Sequence, residues 1–478
     1  HQFYYDRDHT EQGIKVPNQI SLQIEPTAGI TSEFRGRAAI CANPAVNYGG
    51  SSRSVWALVG ETFEFSCPEV FRGFKAGMCT GIDADKGEIT FALICPASFE
   101  SPPSRFLDET MVVKIESVGR LTPSSTNNYW QRFVFTSLLT QSGDAAAGAV
   151  FGALMGDAAG GVLEFLGRKP TQYECDEALN AMPGGGALGL APGQFTDDGE
   201  MTVTLLAAIN SSNGAYVHNV VARAYSTWAE SEPFDIGQAT TYALLGDAAA
   251  CTMRSAAATM LRQAADSNMG SKANGSLMRA SPLGVLGASL TPEETIDIAA
   301  KDARLTHPNP TCVHATVAYV LAIRHLVLNT GDYKGAFATA QEYVELNNEE
   351  VSAWLEDADN GDLSDAMDMV GFVRHAFTLG FYHLRKASDY AKGIQHVLRQ
   401  GGDTDTNACI AGGLLGALHG MKKLPERAME SLITCDTTRG RDRPCKYTIN
   451  PVISNLRDFF GVISRGASGA IDEATNAD

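Results

Sequence analysis

Residues 401–420 read Gly401-Gly402-Asp403-Thr404-Asp405-Thr406-Asn407 and then ACIAGGLLGALHG. Two glycines supply the permissive backbone of a turn. Two carboxylates and two hydroxyls then crowd the start of a segment whose apolar residues recur at three- and four-residue intervals, as in a helix buried in a core. The many small residues in that helix imply close approach to a neighbouring helix. On a helix, residues i and i+2 diverge, but on a turn leading into one Asp403 and Asp405 can converge on one point. Carboxylates held that close repel one another unless a cation sits between them.

The same composition recurs upstream. Phe195-Thr196-Asp197-Asp198-Gly199-Glu200 precedes the apolar helix MTVTLLAAI. Oxygen ligands with no Cys and no partnering His favour Mg²⁺, Mn²⁺ or Ca²⁺ over zinc. Two such loops, about two hundred residues apart in sequence, can together hold two ions. The competing reading is that Asp and Thr before a helix are ordinary N-caps; it stays open for either loop alone, and the repetition weighs against it. Between the loops lies Asn274-Gly275-Ser276-Leu277-Met278-Arg279, where small residues can present backbone amides to a phosphate with a cation nearby; an ordinary turn is the alternative. Thr306-His307-Pro308-Asn309-Pro310 reads as a rigid turn bearing one exposed His, which is more often structural or solvated than catalytic.

Outward from these loops the chain divides. Its 478 residues allow about two to four domains, and 44% hydrophobic with 19% charged residues is globular composition. Ser54–Gly60, Thr62–Cys67, Glu88–Pro96, Met111–Gly119 and Tyr129–Leu139 are short and rich in β-branched and aromatic residues, separated by Gly, Pro, Ser and Asn clusters. Residues 1–140 are therefore expected to form a small β-rich accessory domain. From Ala149 onward helical spacing dominates, as in ATVAYVLAIRHLVL and GFVRHAFTLGFYHLRKA, and Pro292 and Pro425 read as first-turn prolines. The expectation is an all-α domain over residues 145–465, with the boundary near Gln141–Gly148 and a flexible tail at 466–478.

Net charge is −18. With 12 basic and 15 acidic residues, positions 1–140 account for −3 and the rest for −15. Such a surface repels a phosphate polymer, so no nucleic-acid partner is expected. A small anion is still admissible where metal ions or backbone amides reverse the field. No run of about 18 uninterrupted apolar residues occurs, so no membrane partner is expected either. The opening HQFYYDRDHTEQ is polar, lacks the order of a secretion signal and has no initiator Met, as in a trimmed chain. Ten scattered cysteines form no CxxC pair, which fits a reducing, cytoplasmic setting.

Taken in order, these segments resemble the ADP-ribosylglycohydrolase family. The likeness begins with Gly152-Ala153-Leu154-Met155-Gly156-Asp157-Ala158-Ala159-Gly160 and continues through the Thr196–Asp198, Asn274–Arg279 and Thr306–Pro310 segments. It closes with residues 401–420 and Leu424-Pro425-Glu426-Arg427, leaving the first 140 residues outside it. The resemblance implies a binuclear magnesium centre, with Mn²⁺ as a substitute, held by Thr196, Asp197, Asp198, Asp403, Asp405 and Thr406. It also implies an ADP-ribose ligand, with Asn274, Gly275, Ser276 and Met278 lining a diphosphate loop and His307 beside it. The activity implied is removal of ADP-ribose from an ADP-ribosylated protein side chain or a small conjugate. Asp197, Asp198, Asp405 and Glu164 are the candidate catalytic carboxylates, with Asp405 in a bridging or near-bridging role. Glu164 falls where serine-specific relatives place a glutamate that manages substrate entry; the alternative is a solvated helix-end carboxylate.

Two positions depart from the family pattern: Gly199 stands where Thr is usual, which is expected to loosen the helix start, and Ser271 where arginine-directed relatives carry an acid. A second functional class is an immunity-type protein that sequesters an ADP-ribosylating toxin or an ADP-ribosylated partner with little turnover. In either class the N-terminal segment is a candidate protein-partner surface.

Overall fold

The computed structural model describes residues 141–449 and Val452, and before them the backbone of eight strand segments. Two compact units divide the chain, His1–Leu139 and Thr140–Asp478. Within the first, β1 (Tyr4–Tyr5), β2 (Ser21–Pro26), β3 (Ala45–Val46), β4 (Ser54–Ala57), β5 (Thr62–Glu64), β6 (Ala76–Asp83), β7 (Glu88–Ile94) and β8 (Phe106–Glu116) are described. Five of them pair antiparallel in the order β2-β8-β7-β6-β5. The other residues of 1–140, including the strand expected at Tyr129–Leu139, and the tail at 466–478 lie outside the described residues.

The described part of the second unit is all-α. Its first helices are α1 (Gln141–Gly161), α2 (Gln172–Ala181), α3 (Asp197–Ser211), α4 (His218–Ala229), α5 (Gln238–Leu244) and α6 (Asp247–Ala250). Next come α7 (Ala256–Asn268), α8 (Ser281–Gly287), α9 (Pro292–Arg304), α10 (Pro310–Leu328) and α11 (Tyr333–Asn347). The last are α12 (Glu349–Asn360), α13 (Val373–Arg385), α14 (Tyr390–Gln400), α15 (Thr404–His419) and α16 (Glu426–Ile433). Pro292 takes the first-turn position expected of it, after Thr291, whose hydroxyl accepts from Glu294 N in a reciprocal cap with that glutamate.

At the centre α1 and α15 cross antiparallel at backbone distance. A side chain at Gly148, Gly152, Gly156 or Gly160 would overlap the backbone carbonyl of Gly416, Gly412, Ala408 or Thr404 respectively. This four-residue stripe of small residues is the close approach that the composition of both segments implied. Around the pair pack α10, α13 and α14, and Tyr390 Oη donates to Gly152 O at 2.7 Å. By length and mean hydropathy (1.5) α10 is apolar enough to cross a membrane, but 78% of that stretch is buried within the fold. Its apolarity belongs to the core.

Two buried ion pairs tie the periphery to this centre. Arg443 grips Glu200 on α3 with two bonds of 2.8 Å, and Trp228 Nε1 adds a third at 2.7 Å. Arg279 binds Asp302 at 3.0 Å, both fully buried.

Candidate active site

A helix N-terminus leaves amides without intrahelical partners. Here both acidic loops have theirs satisfied from outside. Asp157, near the C-terminal end of α1, accepts from Thr196 N at 2.9 Å, Thr196 Oγ1 at 2.9 Å and Gly199 N at 2.7 Å at the start of α3. Glu164, just beyond α1, accepts from Thr404 N at 2.9 Å and Thr404 Oγ1 at 3.0 Å at the start of α15. Accordingly neither Thr196 nor Asp403, which occupy the cap positions, makes a side-chain cap bond to its own helix. The N-cap alternative thus fails for both: the Thr196 hydroxyl donates to Asp157, and the Asp403 carboxylate faces those of Glu164 and Asp405.

There the two loops meet. Thr196 Oγ1 lies 3.3 Å from Asp405 Oδ2 and 3.4 Å from Asp198 Oδ2, and Thr406 Oγ1 lies 3.3 Å from Asp198 Oδ2. Asp405 Oδ1 accepts from Thr406 N at 2.8 Å. Carboxylate oxygens of Glu164, Asp403 and Asp405 fall within 4.8 Å of one another. Asp197 is 8% exposed and Asp198 1%. Burial first, then neighbouring carboxylates, raises Asp197, Asp198 and Asp405 well above the usual carboxylate range. Burial likewise lifts Asp157 and Glu164 to about 7.

Whether these residues fit a metal can be read from Asp198. Its Oδ1 is buried without a hydrogen-bond partner among the described residues, a costly state for a carboxylate unless a cation completes it. The oxygen-only donor set is that of a hard divalent ion, so the residues fit the ions that the resemblance implies.

One alternative falls and three expectations need correction. Glu164 is not a solvated helix-end carboxylate: it is 6% exposed and committed to Thr404. His307 is not exposed but 1% accessible, since Gly275 packs over its ring and Thr306 Oγ1 contacts Nδ1 at 2.8 Å. Burial, with Arg279 second, lowers its pKa to about 3 and keeps it neutral. Gly199 does not loosen the helix start. Its amide is held by Asp157, and an added Cβ would stand 2.5 Å from the Phe195 ring. Finally, Arg279 is not a cation free for phosphate. It binds Asp302, Gly275 O and Thr306 Oγ1, with its guanidinium 4.7 Å from the Tyr225 ring centroid.

That arginine instead joins the Asn274–Arg279 turn to the Thr306–Pro310 turn. Asn274 Nδ2 donates to Asp403 Oδ2 at 2.8 Å, placing this turn against the acidic centre. Ser276 Oγ contacts Thr316 Oγ1 at 3.1 Å, and Met278 is buried at 3%.

Two residues escaped the sequence reading. Asp157 was seen only as part of a resembling helix; an acid inside GALMGDAAGG was the signal. Asp235, in the loop before α5, is half-buried and close enough to help raise Asp197, while Asp403 helps raise it in turn, burial being the larger cause for both. Nothing in PFDIG marked it. Exposed apolar residues in left-handed backbone stand at the edge: Phe165 (φ 61°, 63% exposed) follows Glu164, and Met369 (φ 51°, 72% exposed) lies two residues before Gly371. A Cβ on Gly371 would sit 3.4 Å from Asp403 Oδ2.

An all-α scaffold here gathers carboxylates and threonines from two helix starts into one buried, oxygen-rich centre. The sequence model of the ADP-ribosylglycohydrolase family matches residues 139–445, and the chain belongs to that family. A protein of Acanthamoeba polyphaga mimivirus, provisionally named an ADP-ribosyl glycohydrolase, is 31% identical over 64% of this chain and 96% of its own. The ADP-ribosylarginine hydrolase Tri1 of Pseudomonas putida is 26% identical over 70% of this chain and 87% of its own. The ADP-ribosyl-[dinitrogen reductase] glycohydrolase of Rhodospirillum rubrum is 27% identical over 60% and 90%. Among solved structures, an ADP-ribosylglycohydrolase-related protein complex shares the fold over 68% of this chain and all of its own, with TM-score 0.53 and 22% identity.

Proposed function

We propose that this chain is a magnesium-dependent hydrolase that releases ADP-ribose from modified protein side chains, through a dinuclear site. One observation carries the reading: both acidic loops have their helix amides satisfied by Asp157 and Glu164, so neither Thr196 nor Asp403 is spent capping its own helix. Thr196, Asp197, Asp198, Asp403, Asp405 and Thr406 would hold the ions, with Mn²⁺ as a substitute. Bound there, such ions orient vicinal hydroxyls and lower the pKa of a water.

In the net reaction, water adds across the bond between the ribose anomeric carbon and the acceptor atom. The carbon takes the hydroxyl, and the acceptor leaves with the proton. The residues must therefore accept a proton from water and return one to the leaving group. With Asp157 and Glu164 committed to helix amides, half-buried Asp235 is the carboxylate beside the centre that lies outside the six ligands and is left to accept it. The Asn274 turn positions Asp403 and borders the ligand, and His307 supports that turn as a neutral ring. Phe165 and Met369 offer an apolar rim to the protein carrying the modified residue. The unit at residues 1–140 selects that protein or another partner, in a cytoplasmic setting.

The test is release of ADP-ribose from an ADP-ribosylarginine protein with magnesium and with chelator. Release that needs magnesium is expected. No release with any divalent ion, together with tight partner binding, would instead favour a sequestering protein.

A further inference from the structure

On a chain of net charge −18, one concave surface runs against the overall field. A cavity of about 540 Å³ is lined by Lys169, Gln172, Lys392, His396, Arg399 and Gln400, and no carboxylate is among its lining residues. That volume lies within the range of small-molecule sites, roughly 300–1,000 Å³. Helix α14 contributes Lys392, His396 and Arg399 at i, i+4 and i+7, one face of a helix. Lys169 and Gln172 form the facing wall, and Arg399 Nη1 donates to Gln172 Oε1 at 3.0 Å across the gap.

The cations differ in what already holds them. Lys169 pairs with Asp365 at 3.0 Å, but both are about half exposed, so that pair is weak. Among the described residues neither Lys392 nor Arg399 has a carboxylate at ion-pair distance. Cations in the last turn of α14 also complement its dipole, which accounts for Arg399. It does not account for Lys392 near the other end, for Lys169 on the facing wall, or for the concavity.

We infer that this pocket binds a small diphosphate, either free or carried on a nucleotide-sized molecule. Three cations and the amide side chains of Gln172, Gln395 and Gln400 around one hollow match an anion of several oxygens better than a single charge would. The inference does not depend on the catalytic reading. It does place the occupant beside the turn that presents Asp403: Gln400 leads directly into Gly401-Gly402-Asp403, and a Cβ on Gly401 would be 3.3 Å from Lys169 Cα.

Titration calorimetry of the full chain with inorganic pyrophosphate, in chelator, tests this. Wild-type protein binds, Lys392→Glu and Arg399→Glu each weaken binding by at least about tenfold, and Asp198→Asn leaves it unchanged. Lys392 makes no side-chain bond among the described residues, so its variants keep the fold, and Lys392→Gln gives a milder check. A parallel titration with ADP, read as the part of binding that Lys392→Glu removes, separates a nucleotide-borne diphosphate from the free ion. Absence of binding at millimolar pyrophosphate overturns the inference. So does binding undiminished in both charge reversals, or lost only in Asp198→Asn.

Discussion

Asp157 sits among small apolar residues on α1 and is fully buried, yet every bond it makes is accepted from an N–H or O–H at the start of α3. It is therefore a positioning residue, acting on the centre through Thr196 and Gly199. In Asp157→Asn the shape survives, but one oxygen becomes an amide facing donors, which costs a bond and adds a repulsion. Supporting residues of this kind typically account for about 10–100-fold in metal affinity or activity. A loss of that size in apparent magnesium affinity is expected, measured by magnesium titration of ADP-ribose release. Unchanged affinity would reduce Asp157 to a fold-stabilising group.

At the scale of elements, the α1–α15 crossing decides whether the two loops meet. Helices normally pack about 8–10 Å apart, set by their side chains. Glycine every fourth residue lets these two touch backbone to backbone, so the start of α15 is carried to the end of α1, where Glu164 caps it. A Cβ on Gly156 would overlap Ala408 O and stand 3.0 Å from Cys409 N. Overpacking commonly costs about 1–3 kcal/mol and more where backbone must move; Gly156→Leu should reach or exceed about 3 kcal/mol. Gly270→Ala, with nothing within 4 Å, is the control and should change little. Denaturant unfolding of both variants distinguishes a tight crossing from a tolerant one.

For the whole molecule, the concentration of buried carboxylate makes stability depend on pH and on metal together. Asp157 and Glu164 rise from ordinary values of 3.8 and 4.5 to about 7 in the fold. Between those limits the folded chain holds more protons than the unfolded one, so stability falls as pH rises from about 4 to about 7. Each group changes it by up to about 1.4 kcal/mol per pH unit in that window. In chelator the melting temperature should be higher at pH 5.5, roughly the middle of that window, than at pH 8, above it. Magnesium, which binds ionised carboxylates, should raise it more at pH 8 than at pH 5.5. Equal responses at both pH values would sink this coupling. The N-terminal unit is tested at the same scale. Deleting residues 1–140 should leave cleavage of a small ADP-ribosyl conjugate within about twofold while changing the preference among protein substrates. Loss of the folded helical unit would instead assign that segment to stability.

Local composition alone made the helical second unit, its small-residue helices and the two acidic loops legible, because periodicity and the crowding of like charges are properties of short stretches. The order of the motifs was enough to place the chain in its family. What a short stretch cannot contain is which distant group satisfies a helix amide. Asp157 and Glu164 are capping partners of helices that begin 40 and 240 residues away, and only packing reveals that the acidic loops are thereby left free. Burial was hidden for the same reason. His307 reads as an exposed turn residue until Gly275 closes over it, and Asp235 has no motif until its loop is folded beside Asp197. A chain's own spacing sets which side chains can share a helix face; the solvent each loses, and hence its charge, is set by neighbours brought in from elsewhere in the chain.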